Sequence, residues 1–189
     1  MLKAEGYDVN DTAISNEISE QDIIPNVTPV AFAVLLPIEK DVIALINEVR
    51  VDPKRFKKKY LANLPGIKKD RYYRSLLTTL DSMKPMAPLK DSKYLNATAQ
   101  HHATDMGKHG IVGHFYSDRK MITDVFDVAE CCDYGNTTAI DIVRSLLIDQ
   151  GVKSLGHRKE LLLREATFIG VSYKKHHSVY KYCMVLHFK

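Results

Sequence analysis

The chain has 189 residues, 45% of them hydrophobic, and 27 Lys and Arg against 23 Asp and Glu give a formal net charge of +4. That length fits one ordinary domain with a tail, and the composition is that of a globular protein able to bury a core. No run approaches the roughly 18 apolar residues that cross a bilayer, the opening MLKAEGYDVNDTAISNEISEQD shows no basic-then-apolar export signal, and three cysteines are too few for a disulfide-stapled scaffold.

Charge is unevenly spread. Residues 1–30 hold six acids (Glu5, Asp8, Asp11, Glu17, Glu20 and Asp22) against Lys3, which leaves +9 on residues 31–189. The start is polar and aperiodic, so residues 1–37 read as an acidic tail or arm and residues 38–189 as the folded domain. VAFAVLLP (30–37) is a short strand or the lead-in to a first helix, on whose inner face Ile38, Val42, Leu45, Ile46 and Val49 would lie. Pro53 interrupts it, and Phe56, Tyr60, Leu61 and Leu64 suggest a second helix stopping near Pro65-Gly66. Residues 50–74 hold ten bases and two acids, but no glycine-rich phosphate loop and no RNA-binding aromatic motif. A solvated helix face accounts for them, and no specific nucleic-acid signal is present.

Asp91 and Ser92 are N-cap candidates for KYLNATAQHHATDMGKH, with Leu95, Ala99, His102 and Met106 facing inward and Gly110 as the stop. TDVFDVAECC has a strand-like centre, in which alternation sends Cys131 and Cys132 to opposite faces. Pairing of either with Cys183 is left open. Thr137 can cap AIDIVRSLLIDQ, and Gly151 ends it. FIGVSY (168–173) and VYKYCMVLHF (179–188) form a hairpin. The second strand is apolar on both faces, through Met184, Leu186 and Phe188 on one side and Cys183 and Val185 on the other. Helices must therefore cover the sheet above and below. The expected fold is α+β, a three-layer α-β-α sandwich around a central antiparallel sheet.

Most of the eight histidines have plain explanations. His101, His109, His176 and His177 read as surface or turn residues, His102 as a hydrogen-bonded core histidine, and His187 as either. His114 in GIVGHFYSD and His157 in SLGHRKE each follow a glycine in a loop. Glu130 lies within an apolar strand, where an unpaired charge is costly, and Asp149 ends a helix shortly before His157. Two loop histidines with carboxylates nearby suit a borderline metal such as zinc, which takes neutral imidazole nitrogens while carboxylates coordinate or orient the rings. The spacing itself matches no metal signature, since neither HExxH nor a CxxC pair occurs.

Five segments in order, LNATAQHHATDMGKHGIVGH, AECC, LLIDQGVKSLGHRKELL, FIGV and CMVLHF, resemble the CAP superfamily (cysteine-rich secretory proteins, antigen 5 and plant pathogenesis-related proteins), also called the SCP domain. The likeness spans residues 38–189 and is nearest to bacterial-type members carrying a DDGVPSRGHRKN-like segment. It implies an α-β-α sandwich with a surface cleft lined by two histidines and two acids. By motif position these fall on His114, His157 and Glu130. Asp149 stands near the place of the second acid, which eukaryotic members supply as a Glu after a tryptophan that this chain lacks. The family's Gly-Glu-Asn is Ala129-Glu130-Cys131 here, so the hydrogen bonds of that Asn are missing. His102 matches a helix histidine that looks structural in the family. His157 is then expected to face His114, with Gly156 turning the backbone and Arg158 anchoring the loop.

The resemblance implies an exported binding module whose cleft holds Zn²⁺ or another divalent cation and a lipid, glycan or protein ligand. Two rivals stand beside it. One is a metal-dependent hydrolase with Glu130 as base, and the other is a structural or interaction domain that binds through its basic segment. No serine or cysteine has a recognisable nucleophile setting, because buried thiols in an apolar strand are inert.

Overall fold

The computed structural model describes residues 34–62, 64 and 67–189. The acidic arm through residue 30, residues 30–33 of the apolar run and the Pro65-Gly66 stop lie outside them. Helix α1 (Pro37–Val51) starts on Pro37, whose fixed φ suits a first helical turn. The Leu36 N–H donates to Glu39 Oε2 at 2.6 Å, and Glu39 Oε1 accepts the Tyr173 N–H at 2.7 Å. One carboxylate thus satisfies the helix start and ties it to the sheet. Helix α2 (Pro53–Phe56) runs into a π-helical turn (Lys57–Leu61), and α3 (Arg71–Ser82) is capped by Asp70, which accepts the N–H groups of Tyr72 and Tyr73. Helix α4 (Lys93–His109) has Ser92 as N-cap and Gly110 at φ 66° as its left-handed stop.

Strands β1 (Lys90–Asp91), β2 (Ala129–Tyr134), β3 (Phe168–Lys175) and β4 (Tyr182–Phe188) form one sheet in the order β1-β3-β4-β2. The two long pairings are antiparallel, and only the two-residue β1 edge runs parallel to β3. Between strands lie α5 (Ile122–Val125), α6 (Ala139–Ile148) and α7 (Gly156–Leu161). On one face Cys131, Ile169, Val171, Met184, Leu186 and Phe188 join Val42, Ile46, Leu76 and Leu147 from α1, α3 and α6. On the other, Cys132, Cys183 and Val185 meet Ala99, Ala103 and Met106 of α4. This is the three-layer sandwich that apolar residues on both faces of β4 require. No helix among the described residues is long and apolar enough to cross a membrane.

Several local expectations are corrected. Thr138, not Thr137, caps α6, and that helix ends at Ile148 with Asp149 in the left-handed region (φ 58°), ahead of Gly151. Strand β4 begins at Tyr182, leaving Val179 and Tyr180 exposed in the turn. His176 lies in the turn after β3 but is buried there, bonded to the Ile111 carbonyl and the Ser178 hydroxyl at 2.7 Å each. Arg50 does not belong to a solvated face. It is fully buried and donates to the carbonyls of Ala87, Leu161, Leu163 and Ala166, which explains how its charge is tolerated. All three cysteines are free and buried.

Candidate functional site

Glu130 stands opposite His187 in the β2–β4 register, and His187 stands opposite Gly170 of β3. The three form a row across the sheet on the face covered by α4. A Cβ on Gly170 would lie 2.1 Å from the Leu95 carbonyl carbon, so glycine here lets the α4 backbone rest on the strands. That close approach brings His102 over Glu130. The carboxylate accepts three imidazole N–H groups: His102 Nδ1 at 2.5 Å and His187 Nε2 at 2.8 Å on Oε2, and His114 Nδ1 at 2.8 Å on Oε1. Burial pushes the Glu130 carboxyl up, but the three hydrogen bonds outweigh it and hold it well below the usual carboxylate range. The strand acid is therefore not an unpaired charge.

His187 is fully buried, and burial lowers its pKa. With Nε2–H directed at Glu130, the neutral ring leaves Nδ1 as an acceptor for the Thr98 hydroxyl 2.8 Å away. His102 is also fully buried, its second nitrogen 3.3 Å from the Phe115 carbonyl. His114 differs from both. It follows Gly113 at φ 98°, a left-handed turn that suits glycine, and its side chain is 42% exposed. The hydrogen bond to Glu130 raises its pKa against the opposing effect of burial.

The second pair lies beside α6 and α7. Asp149, buried as the C-cap of α6, accepts His157 Nδ1–H at 2.7 Å on Oδ1 and the Arg158 N–H at 3.4 Å on Oδ2. The sharp left-handed residue before His157 is Leu155 at φ 54°, not Gly156. Arg158 does anchor the loop: its buried guanidinium donates to the carbonyls of Leu147, Ile148 and Tyr72 and to Ser75 Oγ. The cavity at His157 measures about 410 Å³ and is lined by Asp149, Cys132, Asn136, Ser145 and Gln150 among others.

The structure thus joins His114 to Glu130 and His157 to Asp149. Strand β2 contributes to both, since Glu130 bonds His114 while Cys131 Sγ donates to the His157 carbonyl at 3.8 Å. Both partly exposed rings spend Nδ1 on a buried carboxylate, and neither Nε2 has a hydrogen-bond partner among the described residues. That is the arrangement in which carboxylates orient metal-binding imidazoles. Two groups of three donors also fall within 4.8 Å of one another among the described residues, His102–Glu130–His187 and His114–Glu130–Cys132, and neither contains His157. The first is closed, its atoms already bonded to one another and away from solvent. A cation there would have to replace the protons that make those bonds.

Sequence reasoning missed His102 and His187 as partners of Glu130, and it missed Cys132 and Asp133. Asp133 is buried on β2, bonded to Asn136 at 2.9 and 3.0 Å, and burial pushes its pKa up to about 6. The argument that singled out Glu130, an acid inside an apolar strand, applies equally to Asp133.

Residues 43–188 match the family model of the cysteine-rich secretory protein family, CAP. The chain belongs to this family. The chain is also similar to solved structures at low identity. One is an outer surface protein from Borrelia burgdorferi (16% identity, 82% of this chain and 96% of that one, TM-score 0.48). Another is venom allergen-like protein 4 of Schistosoma mansoni (16% identity, 82% and 88% covered, TM-score 0.47). No curated protein is significantly similar in sequence.

Proposed function

We propose that this CAP domain is an exported binding module whose cleft takes up a divalent cation, zinc first among them, through His114 and His157. The observation that supports this reading is the pair of carboxylate–imidazole contacts, at 2.8 Å for Glu130–His114 and 2.7 Å for Asp149–His157. Each contact leaves Nε2 as the unengaged donor on a partly exposed ring. Glu130 and Asp149 fix tautomer and ring orientation. Bound zinc supplies a Lewis-acid position for an oxygen or nitrogen group of a ligand. The polar lining of the cavity beside His157 suits a polar portion of that ligand, whether glycan, protein or lipid headgroup. Membership of a secretory family supports an extracytoplasmic setting.

Glu130 serves better here as an orienting group than as a hydrolytic base. A carboxylate that accepts three imidazole N–H groups and is held well below its usual range is a weak proton acceptor. The test is calorimetric zinc titration of the metal-stripped protein beside a His114→Ala/His157→Ala double variant. One-to-one uptake lost in the folded variant is the expected result. Equal uptake by both proteins would overturn the assignment.

A further inference from the structure

Cys132 is the residue common to the two halves of the site. Its sulfur lies within 4.8 Å of a His114 ring nitrogen and a Glu130 oxygen, and the residue also lines the cavity of His157 and Asp149. Each thiol donates to a backbone carbonyl, but the Cys132 partner is Gly113, next to His114, whereas Cys131 Sγ donates to the His157 carbonyl from the other sheet face and Cys183 Sγ to the Ala103 carbonyl beneath α4. Among the described residues, no three-donor group within 4.8 Å includes either of them.

We propose that Cys132 supplies a thiolate donor to the cation held at His114, making this CAP site a mixed nitrogen and sulfur centre in which Glu130 orients the imidazole. The inference rests on the cation-binding reading given above. Imidazole and thiolate together form a donor set that zinc and its thiophilic relatives accept, and that magnesium or calcium do not favour. Burial holds the free thiol protonated. The Cys132 proton therefore leaves to solvent as the metal–sulfur bond forms, because a coordinating thiol is deprotonated outright.

The experiment is titration of the metal-stripped protein with Co²⁺, following the near-ultraviolet thiolate-to-cobalt charge-transfer band and, separately, bound metal after desalting. The expected result is a band at one equivalent that Cys132→Ser abolishes and that Cys131→Ser and Cys183→Ser keep. Affinity in Cys132→Ser should fall by more than the roughly 10–100-fold that loss of an outer orienting group costs. Cobalt retained without the band, and equally by Cys132→Ser, overturns the sulfur donor while leaving His114 and His157 in place. A band that follows Cys131 or Cys183 instead overturns it as well. No cobalt retained at all removes both the sulfur donor and the cation-binding reading.

Discussion

Glu130 and His187 face each other across β2 and β4, with Nε2 2.8 Å from Oε2 and both side chains shut away from solvent. This contact and the matching one from His102 make the carboxylate part of the core, while its other oxygen reaches out to exposed His114. One residue thereby couples sheet stability to the orientation of a surface imidazole.

Removing that carboxylate should cost far more than a surface change. Glu130→Ala leaves three imidazole donors without their acceptor, two of them on fully buried rings. The expected loss is about 3–5 kcal/mol, the scale for breaking a buried pair from one side. Urea denaturation at neutral pH checks it; a loss below about 1 kcal/mol would mean that the histidines re-pair with water.

Stability should also decline in acid in a way that belongs to this cluster. The Glu130 carboxyl is held below its ordinary 4.5, so the unfolded chain takes up a proton there before the folded one does. Its contribution is present above 4.5 and is lost as pH falls below it. His187, lowered from 6.5, works in the same direction from 6.5 downward. His114, raised from 6.5, opposes them by adding stability below 6.5 that is lost as pH rises through its folded value. Denaturation midpoints measured from about pH 7 to about pH 3 should therefore fall most steeply below about 4.5, and Glu130→Gln should flatten that limb. An unchanged limb in the variant would place the acid sensitivity elsewhere.

Much of this architecture is legible in the sequence. Ser92 and Gly110 bracket α4 as capping chemistry requires, and the two-faced apolarity of β4 demands helices on both sides of the sheet. The contacts that define the cluster are not legible, because Glu130 meets His102 and His187 at separations of 28 and 57 residues. Periodicity reports which face a residue occupies, not which distant residue shares it. For the same reason Arg50 reads as one of ten surface bases, although its guanidinium ties α1 to carbonyls 111 to 116 residues away. Propensity assigns the sharp turn before His157 to Gly156, and tertiary packing places Leu155 in the left-handed region instead.

Asp149→Asn separates orientation from folding at the other histidine. Asparagine tolerates the left-handed backbone of position 149 and keeps an acceptor, while the charge behind His157 is lost. Zinc affinity should drop by about 10–100-fold with the thermal midpoint nearly unmoved. Calorimetry with a parallel melting curve distinguishes this outcome from simple unfolding.

Arg158 pins the same loop through a guanidinium fork that lysine cannot reproduce. Its nitrogens reach the Leu147 carbonyl at 2.6 Å and the Ile148 and Tyr72 carbonyls and Ser75 Oγ at 2.9 Å. Arg158→Lys keeps the charge but leaves several of these buried acceptors unmet. The expected loss is on the order of 3 kcal/mol, with hydrogen exchange accelerating first in α7 and the end of α6. Uniform acceleration across the sheet would mean that the residue supports the whole fold rather than this loop.

Gly170→Ala tests whether the close seat of α4 builds the Glu130 cluster. The added methyl would lie 2.1 Å from the Leu95 carbonyl carbon and 2.2 Å from the Asn96 nitrogen, and backbone atoms cannot swing aside as a side-chain tip would. Helix α4 must therefore lift from β3, carrying His102 and Thr98 away from Glu130 and His187. The cost should reach or exceed the ~1–3 kcal/mol of ordinary overpacking. Because the helix holds two of the cluster's contacts, the imidazole NMR signals of His102 and His187 should shift together, while that of His157, held by Asp149 from α6, stays in place. If all three move, α4 and the His157 loop form one rigid support. If none moves, the helix seat and the buried carboxylate cluster are independent.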